Sequence, residues 1–141
     1  MKIEEFQNKF KVNELLIYEN SSWAWSLRPK QLTYCSSVIS LKREALHFSD
    51  VTVEEFKDYG EIISKLEMCL NKFCRPLLFN YLSLMLVDRH VHTHVFPRFN
   101  VCAEKNPSMD AFYPNPVALN AQPLNMSIED LAQLKNKIDL I

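Results

Sequence analysis

Residues 90–98 read His-Val-His-Thr-His-Val-Phe-Pro-Arg, and the interpretation of the whole chain starts from this stretch. Three of the four histidines in the chain lie here, at every second position (His90, His92 and His94). Successive side chains of a β-strand point to opposite faces of the sheet. We therefore predict a strand over 90–96, ended by Pro97, with the histidines on one face and the residues between them packed on the core.

Three imidazoles on one face of a strand support two kinds of chemistry. Neutral imidazoles are good zinc ligands, and histidines two residues apart on a strand can reach the same ion. Histidine also titrates near neutral pH, so one ring can act as a nucleophile while its neighbours donate hydrogen bonds and protons. The spacing alone does not separate these alternatives, and an exposed sheet face without a role is the third interpretation.

The rest of the sequence predicts an α+β fold with an antiparallel sheet. Short apolar runs bounded by turn-forming residues predict strands at 15–19, 23–28, 36–41 and 79–87. Short helices are predicted at the two ends of the chain, over 3–10 and after Ser127.

One long helix is the clearest prediction. Thr52 and Glu55 form a capping box at its start, and Pro76 prevents it from continuing. Its apolar residues recur at spacings of three and four and predict one buried stripe, which consists of Phe56, Tyr59, Ile63, Leu66, Leu70 and Phe73. Gly60 lies within this helix and costs about 1 kcal/mol relative to alanine.

Composition and charge exclude several classes of protein. The chain has 16 basic and 17 acidic residues, a balance that gives no support to binding of a nucleic-acid backbone. Gly60 is the only glycine in the 141 residues. The glycine-rich dinucleotide-binding motif and the P-loop each need more than one glycine, so both are excluded.

Taken with its surroundings, the stretch at 90–98 resembles the signature of the histidine triad family, in which three histidines alternate with apolar residues and Pro-Arg often follows. The resemblance covers about residues 15–100 and is to a bacterial subgroup similar to diadenosine tetraphosphate hydrolases. The other matching segments are Trp23, Leu27-Arg28-Pro29, Val38–Arg43, the capped helix from Thr52, Asn80-Tyr81-Leu82 and Leu84–Asp88. The resemblance implies a five-stranded antiparallel sheet with one long helix packed on it, plus short terminal helices.

The resemblance also implies a nucleotide hydrolase or nucleotidyltransferase. Such enzymes cleave a nucleoside phosphoanhydride or phosphoramidate, for example a diadenosine polyphosphate, at the α-phosphate. His92 is implied to attack phosphorus and form a nucleotidyl-histidine intermediate, while its other ring nitrogen donates to the carbonyl of His90. His94 is implied to hydrogen-bond a phosphate oxygen or to assist the leaving group. The scheme requires no metal and no cofactor.

The sequence departs from the better-known branches of this family at two phosphate-binding features. Leu84–Arg89 stands in place of a glycine-rich segment that ends in Ala-Gly-Gln, and Cys35-Ser36 stands in place of a Gly-His pair. These departures keep two other hypotheses open. One is a nucleotide-binding regulatory protein with weak turnover, and the other is a metal-binding protein that uses the three histidines.

Four polar residues are candidates for substrate binding, and each also has a structural interpretation. Arg28 would hold a phosphate through two parallel hydrogen bonds, or pair with a carboxylate on the surface. Asn80 would contact a phosphate or cap a turn. Asp88 would orient a triad histidine or, as we favour, shape the turn before it. For Arg98, exposure to solvent is favoured over a phosphate contact.

We predict one domain over residues 1–141, with its core at about 15–100 and a C-terminal arm and helix at 103–141. The expected substrate is a purine nucleotide, and the expected assembly is the homodimer usual in the family. No apolar signal segment, membrane-length run or Cys-x-x-Cys pair occurs in the sequence. These features predict a cytoplasmic protein with free thiols that acts neither on nucleic acid nor in a membrane.

Overall fold

The computed structural model describes residues 1–99 and 123–140. The helices and strands, in chain order, are α1 (Ile3–Phe10), β1 (Leu16–Glu19), β2 (Trp23–Leu27), β3 (Ser37–Leu41), a short 3₁₀ helix (Phe48–Asp50), α2 (Val53–Phe73), β4 (Leu78–Leu82), β5 (His92–Arg98) and α3 (Ile128–Asp139). Most of the predicted C-terminal arm lies outside the described residues, whereas the predicted terminal helix is α3.

The strands form one antiparallel sheet in the order β1-β2-β3-β5-β4. This confirms the predicted fold, a five-stranded antiparallel sheet with a long helix. The strand that carries the histidines lies between β3 and β4. Val38 of β3 pairs with His94, and Ser40 pairs with His92. Register therefore places short or apolar side chains beside the two histidines of β5.

The main core lies between one face of the sheet and the helices α2 and α3. Both helices begin with a capping box, Thr52 with Glu55 and Ser127 with Asp130. Sheet residues that pack into this core include Trp23, Trp25, Leu27, Ile39, Leu41, Val91 and Val95. Alternation along the strands leaves the opposite face for other side chains.

The opposite face of the sheet is covered by α1. Phe6 and Phe10 are its buried residues, and they cluster with Val12, Ala24 and Val38. Helix α1 has no side-chain cap from Lys2, and the N–H of Ile3 instead donates to the carboxylate of Glu44 at 3.0 Å. A short helix with two aromatic anchors thus lies over the histidine side of the sheet.

The buried stripe of α2 is rotated slightly from the prediction. Its buried residues are Ile62, Leu66, Cys69 and Leu70. Phe56 is 46% exposed and lies outside this buried stripe. The predicted stripe omits Ile62 and Cys69, since a spacing of three or four fits two adjacent stripes on one helix.

Two strand boundaries were predicted wrongly. The run at 79–87 leaves the sheet after Leu82, and Met85 then adopts a left-handed conformation (φ 56°) that no strand contains. Pro97 does not end β5, which continues to Arg98. Arg98 accepts a hydrogen bond from Leu77 on the β4 side, so the nitrogen of Pro97 faces the other side, where pairing with β3 has ended.

Cys35, Cys69 and Cys74 are free thiols, whereas Cys102 lies outside the described residues. Within residues 1–99 and 123–140, no helix combines the length and apolar character needed to cross a membrane.

Candidate active site

The sheet and α1 bring the three histidines together beneath two phenylalanine rings. His92 and His94 belong to β5, whereas His90 precedes the first residue of the strand. The ring of Phe6 lies 5.0 Å from that of His90 and 4.8 Å from that of His92, and Phe10 lies 5.6 Å from His94. His90 is 0% exposed and His92 is 2% exposed.

The predicted strand therefore begins two residues later than expected, although the division between the two faces extends to its flanking residues. Strand pairing weakens before His92 because β3 ends at Leu41, whose N–H still donates to the carbonyl of Val91 at 3.1 Å. Val91 packs in the main core, and Thr93 hydrogen-bonds the hydroxyl of Tyr59 from α2 at 2.7 Å. The residues between the histidines thus face α2, as the alternation predicts.

A chain of hydrogen bonds connects an arginine to the middle histidine. The Nε–H of Arg28 lies 3.1 Å from Nδ1 of His94. Nε2 of His94 lies 3.0 Å from Nε2 of His92. Nδ1 of His92 lies 2.5 Å from the backbone carbonyl oxygen of His90. The last contact is the one expected between the middle histidine and His90.

Burial lowers the pKa of all three histidines. The effect is largest at His94, where desolvation, then His92, Arg28 and Lys9, lower the pKa to about 3. At His92 the lowering by desolvation is partly opposed by the His90 carbonyl and by Asp88. The imidazoles are therefore neutral at physiological pH, and each neutral ring has one donor and one acceptor nitrogen.

His90 is held separately from the other two rings. Its Nε2 donates to the carbonyl oxygen of Leu41 at 2.7 Å, and its buried Nδ1 has no hydrogen-bond partner. Consequently the three imidazoles do not converge on one point. In the part of the chain that the structure describes, no group of three or more histidine, cysteine or acidic side chains could hold a metal ion.

A pocket of about 310 Å³ opens beside the histidines, between α1 and the segment that follows β2. Its lining residues are Lys9, Phe10, Arg28, Pro29, Lys30 and Asp88. Asp88 forms an ion pair with Lys9 at 2.6 Å. It therefore connects α1 to the loop before β5, and no hydrogen bond from it to a triad ring is found within the described residues. The other two cations of the pocket have no such carboxylate partner among residues 1–99 and 123–140.

Arg98 and Asn80 lie together on the histidine face, away from the pocket lining. Arg98 is 2% exposed, and its Nη1 donates to Oδ1 of Asn80 at 3.1 Å. The preference for a solvent-exposed Arg98 is therefore wrong, because continuation of β5 through Pro97 keeps this side chain against the sheet. Asn80 lies inside β4, opposite Phe96, and is not at a turn.

Lys9, Lys30 and Ser83 contribute to the site and were missed in the sequence. Lys9 reaches the pocket from α1, about 80 residues before the triad, and no local motif connects segments so far apart. Ser83 was also missed, and its hydroxyl donates to the carbonyl of His92 at 2.8 Å. The available signal for α1 was its aromatic spacing, since Phe6 and Phe10 are four residues apart on one helical face.

No protein-family model and no curated protein matches the chain. Solved structures do. A histidine triad protein from Sinorhizobium meliloti matches with a TM-score of 0.71 at 14% identity, over 98% of this chain and 93% of that one. Another from Marinobacter aquaeolei matches with a TM-score of 0.69 at 15% identity, over 92% of this chain and 90% of that one.

The fold is that of histidine triad proteins. A third similar structure is the diadenosine triphosphate hydrolase of Plasmodium falciparum, solved in complex with Cyclomarin A. It has a TM-score of 0.63 and 14% identity, over 90% of this chain and 75% of that one. His90, His92 and His94 thus lie on one face of this fold in a chain that is only 14–15% identical to these three structures.

Proposed function

We propose that the protein is a nucleotide hydrolase or nucleotidyltransferase of the histidine triad type, with His92 as its nucleophile. The tautomer of His92 carries this proposal. A carbonyl oxygen only accepts hydrogen bonds, so the contact of 2.5 Å with His90 requires the proton of His92 to be on Nδ1. Its Nε2 therefore has a lone pair that can attack phosphorus.

The pocket supports a phosphorylated substrate with a flat base. Lys9, Arg28 and Lys30 supply positive charge for phosphate oxygens, and Phe10 with Pro29 supplies apolar surface. We propose a purine nucleotide on these grounds. Together with the sequence resemblance, they support an enzyme similar to bacterial diadenosine tetraphosphate hydrolases.

The proposed reaction has two steps. The lone pair on Nε2 of His92 forms a bond to the α-phosphorus, and the bond from that phosphorus to the leaving group breaks. In the second step water adds to phosphorus, one of its protons goes to solvent, and the bond to Nε2 returns its electron pair to the ring. His90 keeps Nδ1–H in place throughout, and no metal is required.

Asn80 and Arg98 are proposed to support the site rather than to bind substrate. Both are committed to the contact of 3.1 Å between them, and Arg98 is almost completely buried. Asp88 is proposed to hold α1 over the pocket through Lys9, since the ion pair joins two segments that flank the triad. Arg28 remains in contact with both the pocket and His94.

A nucleotide-binding protein with weak turnover is the second candidate. The observation that favours it is the cover over His92, which is 2% exposed, contacts Phe6 and has its Nε2 occupied by His94. Substrate must displace the contact with His94 before bond formation. A regulatory protein would bind nucleotide and perform this displacement rarely.

Single-turnover cleavage separates the two candidates. Excess protein is mixed with diadenosine tetraphosphate or with adenosine 5′-phosphoromorpholidate, and the protein is analysed by mass spectrometry during the reaction. The proposed enzyme gives a nucleotidyl adduct at His92 that forms and decays with product release. Binding of nucleotide without an adduct and without product would support the regulatory candidate instead.

We also propose that the protein is a homodimer joined along the edge strand β4. An edge strand has unpaired backbone groups on one side, and the loop after β4 exposes large apolar side chains, including Leu86 at 72% and Val87 at 79%. Light scattering is expected to give twice the chain mass of 16.5 kDa. Leu86→Lys should shift this mass toward the monomer, whereas Leu140→Lys, at an exposed position just after the last helix, should not. A monomeric wild-type protein at micromolar concentration would contradict the proposal.

A further inference from the structure

The hydrogen-bond chain from Arg28 to His90 runs between two groups whose roles are chemically fixed. A guanidinium group has donors and no acceptor, and a carbonyl oxygen accepts and does not donate. Since Arg28 Nε–H donates to Nδ1 of His94, the proton of neutral His94 is on Nε2. That proton points to Nε2 of His92, which accepts because the proton of His92 is on Nδ1. The hydrogen bonds can therefore be arranged in only one way, in which each group donates to the next from Arg28 to the carbonyl of His90.

Arg28 also prevents His94 from becoming an imidazolium ion. A protonated ring would have N–H groups at both nitrogens, and its Nδ1–H would face the Nε–H of Arg28. Positive charges at Arg28 and Lys9 face this ring, together with neutral His92. Asp88, which lines the pocket, is paired with Lys9, and the neighbouring strands present Val38 and Leu82 opposite His94.

We propose that Arg28 is a positioning residue that holds His94 as a neutral imidazole with its proton on Nε2, and that the site is therefore selective for phosphoanhydrides over phosphoramidates. The inference rests on the proposed function for its second part. Its first part concerns the histidine ring alone and holds without any substrate.

The selectivity follows from where the electron pair goes when the leaving group departs. In a phosphoanhydride the P–O bond breaks, and the pair goes to a phosphate oxygen that is stable as an anion near neutral pH, because its conjugate acid has a pKa of about 6. In a phosphoramidate the P–N bond breaks, and the pair goes to a nitrogen that must be protonated first. His94 can donate a hydrogen bond to either leaving group, but a neutral imidazole does not give up its remaining proton.

The ring itself is tested by nitrogen-15 NMR of the histidines across pH 5 to 8, without substrate. In the wild-type protein His94 is expected to carry its proton on Nε2 throughout this range. In Arg28→Met the Nδ1 atom loses its donor, so we expect a mixture of tautomers and a titration midpoint that rises into this pH range. Lys30→Met is the matched control, because it removes a positive charge from the same pocket but no contact to His94, and its His94 spectrum should match the wild type.

Selectivity is tested by the ratio of single-turnover rates on diadenosine tetraphosphate and adenosine 5′-phosphoromorpholidate. The wild-type ratio is expected to exceed 100, and Arg28→Met should lower it at least tenfold, because His94 can then donate a proton to the amine. Lys30→Met should weaken binding of both probes alike and leave the ratio within threefold. If Arg28→Met does not fold, Arg28→Lys retains the charge and should change the spectrum and the ratio in the same direction by a smaller amount.

The NMR spectra test the state of His94, and the ratio of cleavage rates tests the selectivity separately. A wild-type His94 that carries its proton on Nδ1, or that titrates between pH 6 and 7, would overturn the inference whatever the activity. A ratio near one in the wild type, or a ratio unchanged in Arg28→Met, would overturn the selectivity. If neither probe is cleaved by any variant, the proposed function and with it the selectivity fail, and the NMR spectra still decide whether Arg28 positions His94.

Discussion

The two faces of the sheet are covered by very different amounts of protein. On one face α2 and α3, of 21 and 12 residues, enclose an apolar core. On the other face α1, of 8 residues, covers three histidines. The α2 and α3 face, here called the thick side, buries apolar surface, and this burial stabilises the fold. The α1 face, here called the thin side, buries ionisable rings at a cost that keeps them neutral, and hydrogen bonds fix their tautomers.

The largest expected effect is on the thin side. His92→Asn should lower single-turnover cleavage by about a thousandfold or more, because the bond to phosphorus can no longer form. Nucleotide affinity should stay within about tenfold, since binding energy comes from the pocket. His47→Asn, at an exposed histidine outside the triad, is the control and should react like the wild type. Cleavage by His92→Asn at a near wild-type rate would show that the nucleophile is another group.

The next largest effect is a loss of stability, expected from a truncation in the core of the thick side. Leu66→Ala should lower the free energy of unfolding by about 2–5 kcal/mol, because Leu66 is fully buried between α2 and the sheet. Denaturant unfolding measures this loss, and the pKa of His94 should not change. A loss below about 0.5 kcal/mol would mean that this stripe of α2 contributes little to the core.

Phe10→Ala is the companion substitution on the thin side. It should admit water to the ring of His94, which lies 5.6 Å from the ring of Phe10, and so raise the pKa of that histidine. If Phe10→Ala left the pKa of His94 unchanged while Leu66→Ala raised it, the thin side would not be what keeps this histidine neutral.

The pH dependence of stability tests the thin side separately, because the triad histidines that titrate lie there. The triad histidines have lower pKa values in the folded protein than in the unfolded chain, where the value is about 6.5. Below pH 6.5 the unfolded chain therefore binds more protons, so stability falls as pH falls, by at most about 1.4 kcal/mol per pH unit for each histidine. Above about pH 8 these rings contribute almost no slope, because they are then neutral in both states.

Unfolding measured between pH 7 and pH 5 tests this dependence. The window lies above the range of Glu55, whose pKa is lowered to about 2 by Arg43, so that carboxylate stays ionised in the folded protein. His94→Asn should flatten the curve, because it removes the histidine with the lowest pKa. A wild-type stability that rises as pH falls through this window would contradict neutral burial of the triad.

The smallest expected effect is a gain in stability at the solvent-exposed surface of α2, on the thick side. Gly60 lies inside α2, and a methyl group added there meets no atom within 4 Å. Gly60→Ala should therefore raise the free energy of unfolding by about 0.5–1 kcal/mol. Thermal or denaturant unfolding measures the gain, and cleavage rates should stay the same. A loss of stability would indicate a contact to this surface, as at a subunit interface.

Local patterns in the sequence were sufficient for most of the fold. The capping boxes at Thr52 and Ser127 mark the starts of α2 and α3, because the side chains that satisfy the first N–H groups are adjacent in sequence. Alternation at 90–98 separates the histidines from the core residues. The apolar run after Leu82 was misread as strand, since its left-handed residue at Met85 leaves no trace in composition.

The site was only partly predictable, because its decisive contacts are distant in sequence. The triad is visible as a motif, but the contact of Arg28 with His94 joins residues 66 positions apart. The sequence predicts phosphate binding or a surface ion pair for Arg28, and no local pattern indicates its hydrogen bond to a histidine ring. The burial of Arg98 was missed for a similar reason, since it depends on where β3 ends beside β5.

The N-terminus of α1 is capped by Glu44, a residue distant in the chain, and this affects the order of folding. Isolated helices shorter than about 12–15 residues are marginal in water, and α1 begins with a bond from Ile3 to Glu44, 41 residues along the chain. Helix α1 can therefore form only after the segment beyond β3 has folded against the sheet. Its amide hydrogens should exchange with solvent well before those of α2, so the histidine side opens first and closes last.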